Sequence, residues 1–189
     1  MPKVLVLFHS RTGHTARIAD AVADGARAVQ FTEVDVRRID DLTPSPDANA
    51  GTHADLARRY RTLESVERLV DYDAIVLGSP ARYGVMAAEV QQLLARAGRL
   101  LDRGALADRV GAAFSSAELP HGGWETTTWS MLTALSHFRM LLVGPEYAGG
   151  TGEGNTPSDP PELANARALG RRVAEVAGWV VHVKHHHHH

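Results

Sequence analysis

Not one cysteine occurs in this chain. Disulfides, thiol catalysis and cysteine-ligated iron–sulfur clusters are excluded together. An excess of one charge is missing too. With 20 Lys and Arg against 22 Asp and Glu the formal net charge is −2, so no basic footprint points to nucleic acid. No apolar stretch approaches the roughly 18 residues of a membrane helix, and no n-region/h-region pattern opens the chain. No membrane partner is expected, and a soluble cytoplasmic protein is the default. Two phosphate motifs are also absent. Without G-x-x-x-x-G-K-S/T there is no P-loop for nucleoside triphosphates, and without G-x-G-x-x-G there is no dinucleotide fingerprint. The run His185–His189 reads as a purification tag and is set aside. Residues 1–181 are expected to form one domain with a sizeable core.

What is present is organised around Lys3–Thr15, KVLVLFHSRTGHT. Val4–Phe8 is an unbroken apolar run without polar alternation, the pattern of a strand buried on both faces of a parallel sheet. After Thr15 the periodicity becomes helical. A buried strand, a hydroxyl-bearing loop and a helix start make an anion site, because the first helical N–H groups lack partners and the dipole favours negative charge. Ser10, Thr12 and Thr15 add hydroxyl donors, and Gly13 permits a tight turn. An ordinary βα turn capped by hydroxyls has the same composition, so the loop alone leaves both readings open. S-R-T-G-H-T resembles the phosphate loop of the flavodoxin superfamily, which holds the terminal phosphate of FMN.

The rest of the chain alternates. Thr15, Ile18, Val22, Ala26 and Val29 mark one helical stripe. Phe31–Arg38 reads as a half-buried strand at or near a sheet edge. Asp40–Thr62 is irregular, with a short helix at Asp55–Tyr60; it lies over a ligand site or at a subunit contact, or is a solvated, mobile excursion. Leu63–Val70 reads as a short helix, Asp73–Ser79 as a buried strand, Pro80–Gly84 as a loop and Met86–Leu101 as one helix. Arg109–Phe114 is a third buried strand, followed by a loop over Ser115–Gly123 and a helix over Thr126–His137. Met140–Val143 is expected to be the last buried strand. Gly144–Asp159 is a glycine-rich loop, and Ser158 or Asp159 caps a final helix with Pro160 and Pro161 in its first turn. This alternation predicts a three-layer α/β fold: a five-stranded parallel sheet of order 2-1-3-4-5 with helices on both faces. The strands ending at Phe8, Ser79 and Phe114 then lie side by side, and their loops converge at the switch point where such sheets bind ligands.

Those three loops suit a flavin. The second offers Arg82, whose charge near the N1/C2=O edge would stabilise a reduced ring, and Tyr83, which could lie along it. Taken singly, Arg82 also reads as a surface ion-pair partner and Tyr83 as packing. The third loop offers Ser115, Ser116, Gly122 and Gly123. Trp124 and Trp129 either line the ring's open face or belong to core or interface. His9, His14, His53 and His121 lack metal-ligand spacing, and no metal is expected.

The chain resembles the WrbA-type flavoproteins, NAD(P)H:quinone oxidoreductases of the flavodoxin-like fold, over nearly its whole length. Asp71–Ile75 followed by Gly78–Gly84, GSPARYG, resembles the family's G-T-P-T-R-F-G segment. Phe114–Ser116 followed by Gly122–Thr126 resembles its S-S-T-G-x-G-G-G-Q-E segment. Leu135-Ser136-His137 resembles the place where the family has a histidine near the flavin. The resemblance implies FMN contacts at Ser10, Arg11, Thr12, Gly13, His14, Thr15, Pro80, Ala81, Arg82, Tyr83, Gly84, Ser115, Ser116, Ala117, Gly122 and His137, with catalytic roles for Arg82 and His137. It implies NADH or NADPH as donor of a hydride to flavin N5, a quinone-like acceptor, and a homodimer or homotetramer. Three departures stand out. Ala117–His121 replaces a glycine- and threonine-rich stretch, Thr12 stands where many members have tyrosine, and the family's Tyr-Gly-Ala segment before the last helix is not recognisable. A flavodoxin-type electron carrier, and a flavodoxin-fold protein that has lost the flavin, remain the alternatives.

Overall fold

A computed structural model describes residues 1–43, 50–117, 122–146 and 160–186. The elements are β1 (Lys3–Phe8), α1 (His14–Arg27), β2 (Glu33–Arg38), α2 (Ala50–Arg59), a 3₁₀ helix (Val66–Asp71), β3 (Ala74–Arg82), β4 (Val85–Met86), α3 (Ala88–Arg96), α4 (Gly98–Asp102), β5 (Val110–Ser116), α5 (Trp124–His137), β6 (Leu141–Leu142) and α6 (Pro161–His186). The parallel strands run β2-β1-β3-β5-β6, and β4 folds back antiparallel onto β3. Taken in chain order the five parallel strands have the expected 2-1-3-4-5 arrangement. The hairpin strand β4 is the addition.

The apolar runs have a simple cause. Successive side chains of a strand point to opposite faces. Val4, Val6 and Phe8 of β1 join one core with α1 and α6, while Leu5 and Leu7 join the other with α3, α4 and α5. β3 divides the same way, Ala74 and Val76 to one side and Ile75 and Leu77 to the other. Each such fully buried aliphatic side chain contributes roughly 1.5–3 kcal/mol. Along Val4–Phe8 and Ala74–Leu77, with layers on both sides, no position is left for a polar residue.

Three expectations need correction. The predicted last strand, Met140–Val143, is only the two-residue edge strand β6, whose Leu141 and Leu142 are exposed while Met140 and Val143 face inward. Phe31 does not belong to β2: it has φ 60° and is exposed. The single helix expected over Met86–Leu101 is a hairpin strand followed by α3 and α4. The final helix, α6, runs from Pro161 into the histidine run, as far as His186. The proposed cap at Ser158 or Asp159 lies outside the described residues. Of the irregular 40–62 segment, residues 50–59 are helical, with Leu56 and the adjoining Tyr60 buried in the α1 layer.

α1 and α6 meet backbone to backbone. A Cβ on Gly25 would stand 1.9 Å from the carbonyl oxygen of Arg167, and one on Gly170 would stand 1.8 Å from that of Val22. Each glycine thus makes room for the other helix's main chain. No helix among the described residues is long and apolar enough to cross a membrane.

Candidate active site

The first loop leaves β1 at Phe8 and enters α1 through Gly13, whose φ of 91° is left-handed. Ser10 shapes the turn from inside. Its buried Oγ accepts the N–H of Gly13 at 3.2 Å and of Ala16 at 3.3 Å. The first helical bond runs from Arg17 N–H to Gly13 O at 3.1 Å. The N–H groups of His14 and Thr15 therefore have no intrahelical acceptor and sit at the positive end of the helix.

The second loop is a hairpin. Ala81 pairs with Met86 and Arg82 with Val85, which leaves a two-residue turn of Tyr83 (φ 52°) and Gly84 (φ 78°). Two positive φ values in succession identify a type I′ turn, whose twist matches that of its strands. Ser79, fully buried, anchors it: its Oγ accepts Ala87 N–H at 2.8 Å and donates to Pro80 O at 2.9 Å. The turn rests on the start of α5. A Cβ on Gly123 would come within 2.8 Å of Gly84 Cα, and one on Gly84 within 2.9 Å of Thr126 Oγ1.

The third loop leaves β5 at Ser116, whose Oγ lies 2.8 Å from Thr15 Oγ1, a buried bond that ties it to the first loop. Between the three loops lies a cavity of about 190 Å³. Arg11, Thr12, His14 and Thr15 wall it from the first loop, Pro80, Ala81 and Arg82 from the second, and Ser116, Ala117 and Gly122 from the third. Two side chains of the first loop already have carboxylates nearby. Arg11 Nη2 is 3.6 Å from Glu89 Oε1, and His14 Nε2 is 3.6 Å from Glu162 Oε2. Arg82, exposed at the rim, has neither an ion pair nor a hydrogen bond among the described residues.

Other expected site residues lie elsewhere. Ser10, Gly13 and Gly84 shape the loops without lining the cavity. Tyr83 projects from the turn, fully exposed. Ser115 points to the other side of β5. Its Oγ is 2.8 Å from Thr128 Oγ1 and donates to Trp124 O, beside a neighbouring cavity of about 410 Å³. The alternation of a strand explains this, since Ser115 and Ser116 cannot face the same way. Trp124 lines that second cavity; Trp129 lines neither and is half exposed. His137 is the main correction. It ends α5, a 14-residue helix whose other end, Trp124, is near the site. A rise of 1.5 Å per residue carries it about 20 Å away. There the carbonyl of nearby Arg139 accepts the Asp108 N–H, at the edge where β5 begins. Within one chain His137 does not reach the cavity, and no catalytic role is assigned to it. The altered stretch 118–121 lies outside the described residues.

Residues 2–154 match the family described as NADPH-dependent FMN reductase. The chain belongs to this family. Among relatives of this FMN reductase-family chain, an NAD(P)H dehydrogenase (quinone) of Nitrobacter winogradskyi is 42% identical over 197 aligned residues, covering 94% of this chain and 98% of that protein. A protein of the same name from Methylocella silvestris is 41% identical over 200 residues, with the same coverage. In three dimensions the chain is similar to a WrbA-like flavodoxin protein from Agrobacterium tumefaciens, with a TM-score of 0.68 and 22% identity over 95% of this chain and 99% of that one. A flavodoxin from the domain Archaea gives a TM-score of 0.62 at 18% identity, over 93% and 99%. The flavodoxin-like fold and the WrbA-type kinship expected from the sequence are both met.

The residues present fit FMN. A phosphate needs clustered N–H donors at a helix start, and the first turn of α1 supplies them with the hydroxyls of Thr12 and Thr15. The anionic edge of a reduced ring needs an uncommitted cation, and Arg82 is one. Sequence reasoning overlooked Ser79, because a serine inside an apolar strand carries no spacing signal. Its burial and its two bonds to the hairpin are visible only in the fold.

Proposed function

We propose that the protein is an FMN-dependent NAD(P)H:quinone oxidoreductase. The single observation that carries this reading is the convergence in one cavity of the α1 first-turn amides and an unpartnered Arg82. Arg11–Thr15 would hold the phosphate, Ser116 and Gly122 would flank the ribityl chain, and Pro80–Tyr83 would border the ring. A cavity of about 190 Å³ is small beside the roughly 300–1,000 Å³ of sites that enclose drug-sized ligands. The phosphate would sit in the cavity, with the ring at its open mouth. When bound, FMN supplies the redox chemistry, taking a hydride from NAD(P)H and passing two electrons to a quinone. The chain itself binds, orients and tunes. No side chain need act as a nucleophile, and Arg82 supplies the charge that favours the reduced ring.

Titration of the protein with FMN and then NADPH, followed in the visible spectrum, tests this. Bound-flavin bands that NADPH bleaches and a quinone restores are expected. Bands that NADPH leaves intact indicate an electron carrier instead, and no FMN binding refutes the site. We also propose that the open mouth is completed by a second copy of the chain, in a homodimer or homotetramer. Tyr83, Val85 and Trp129 are exposed in the hairpin and on α5, which contacts it. A monomer by light scattering at micromolar concentration with FMN present would refute this. The cytoplasm, where soluble nicotinamide cofactors are available, is the proposed location.

A further inference from the structure

Just before the phosphate loop, the end of β1 carries a buried histidine that the flavin reading does not use. His9 is 1% exposed. Its Nδ1 lies 3.2 Å from the carbonyl oxygen of Ile39. A carbonyl only accepts, so Nδ1 carries the proton and the neutral ring presents a bare lone pair at Nε2. That nitrogen has no hydrogen-bond partner. It points instead at two carboxylate oxygens, Asp41 Oδ1 and Glu89 Oε2, each 3.6 Å away. Three acceptors thus face one another inside the protein. Such a group is unfavourable unless something positive stands between them.

The spacing suggests what that is. At 3.6 Å from Nε2, neither carboxylate oxygen is hydrogen-bonded to it. Two ligands about 2.0–2.2 Å from a tetrahedral zinc ion stand roughly 3.3–3.6 Å from each other. The three ligand atoms all lie within 4.8 Å of one another. The outer atoms are arranged to match. The second oxygen of Glu89 faces the Arg11 guanidinium at 3.6 Å, and the second oxygen of Asp41 is 2.7 Å from His53 Nδ1. The bond from His9 to a backbone carbonyl is the support that metal-bound imidazoles usually have. Each inner oxygen is thereby left for the shared centre.

We propose that His9 Nε2, Asp41 and Glu89 bind a divalent transition-metal ion of the zinc class, with water as the fourth ligand. One imidazole with two carboxylates favours such an ion over Ca²⁺ or Mg²⁺, which take oxygen ligands alone. The ion has a structural role. It pins together the end of β1, the segment after β2 and the first turn of α3, and so fixes the start of the phosphate loop. Spacing along the chain hid this group, because its members come from three elements 32 and 48 residues apart. The proposal does not depend on the flavin.

The test uses the full chain, stripped with EDTA and heated with ZnCl₂, CaCl₂ or neither. The histidine run at the end of α6 also binds zinc, and His9→Gln, which keeps that run, measures its contribution to any shift. A hundredfold excess of Zn²⁺ over Kd should raise Tm by about 5–10 °C, with no shift from Ca²⁺. His9→Gln and Glu89→Gln should lose that shift. A wild-type Tm that zinc leaves unchanged or lowers, or a shift that His9→Gln retains, overturns the proposal. Anomalous diffraction at the zinc edge needs no variant and decides the matter even if these do not fold. A peak about 2.0–2.2 Å from His9 Nε2 and from one oxygen each of Asp41 and Glu89 is expected. Zinc found only on the histidine run refutes the site.

Discussion

Arg82 and Tyr83 are neighbours in one turn and differ in kind. Arg82 lines the cavity without a partner among the described residues, so its charge is free for a ligand. Hydrogen bonds to charged groups contribute about 1.5–3 kcal/mol. Arg82→Ala should therefore weaken FMN binding roughly ten- to hundredfold, read as loss of flavin fluorescence quenching. Unchanged affinity would remove Arg82 from the site. Tyr83 sits at φ 52°, where a bulky side chain is strained by about 1–3 kcal/mol. Asparagine tolerates that region, so Tyr83→Asn should raise Tm by about 2–4 °C, given that 1 kcal/mol moves Tm by that much at this size. If the same variant also weakens FMN binding or association, the strain at Tyr83 is kept for contact with a ligand or a second chain. Ser79→Ala acts differently. It leaves the buried Ala87 N–H without an acceptor, at a cost of about 1–3 kcal/mol, and loosens the hairpin from β3.

At the scale of elements, what could be read in advance depended on how local the cause was. The strands β1, β3 and β5 were legible because burial on two faces demands an unbroken apolar run. The first loop was legible because strand, hydroxyls, glycine and helix follow one another directly. The hairpin at Arg82–Val85 was not. Its type I′ turn ordinarily advertises itself by Asn-Gly or Asp-Gly, and here a tyrosine occupies the first position. Met140–Val143 looked like a core strand by composition alone, yet few partner residues remain at that edge of the sheet, and the two leucines that pair are the exposed ones. His137 was misplaced because a match between sequences carries no information about which end of a helix faces the site. The contact of α1 with α6 was also invisible, since a glycine inside a helical stripe does not say which main chain comes close to it. In the fold Gly25 and Gly170 each stand against the other helix's main chain. Gly25→Ala gains about 1 kcal/mol of helix propensity but must push a carbonyl from 1.9 Å to contact distance, so the overpacking term of roughly 1–3 kcal/mol or more dominates. A lower Tm is expected for Gly25→Ala and for Gly170→Ala. A rise in either would mean that the helices can separate freely.

For the whole molecule, two tyrosines act as stitches between distant parts of the chain. Tyr60, after α2, donates to Asp20 of α1 at 2.8 Å, and Tyr72, before β3, donates to Asp35 of β2 at 2.6 Å. Burial, then the bond to Asp35 and its charge, pushes the Tyr72 phenol up to about 12. Burial and Asp20 push Tyr60 in the same direction. An unfolded tyrosine ionises near 10. The folded state thus holds these protons more tightly, and the stability they add is complete below about pH 10 and is lost as pH rises through about 12. Urea midpoints measured between pH 9 and 12 should fall over that window. The fall should be shallower in Tyr72→Phe, whose stability at pH 9 is already lower by the missing bond. An equally steep fall in the variant would assign the alkaline limb to other groups.

The face that α6 covers on α1 has a further consequence for how the protein is made. More than a hundred residues of chain separate the two helices. While the ribosome adds those residues, Ala16, Ala19, Val22, Ala23 and Ala26 have no α6 to lie against, and half of the sheet's second layer is missing. The nascent chain thus carries an uncovered apolar stripe through most of its synthesis, a surface for chaperones to hold. A chain stopped before Pro161 never closes it, and that product is expected in the insoluble fraction.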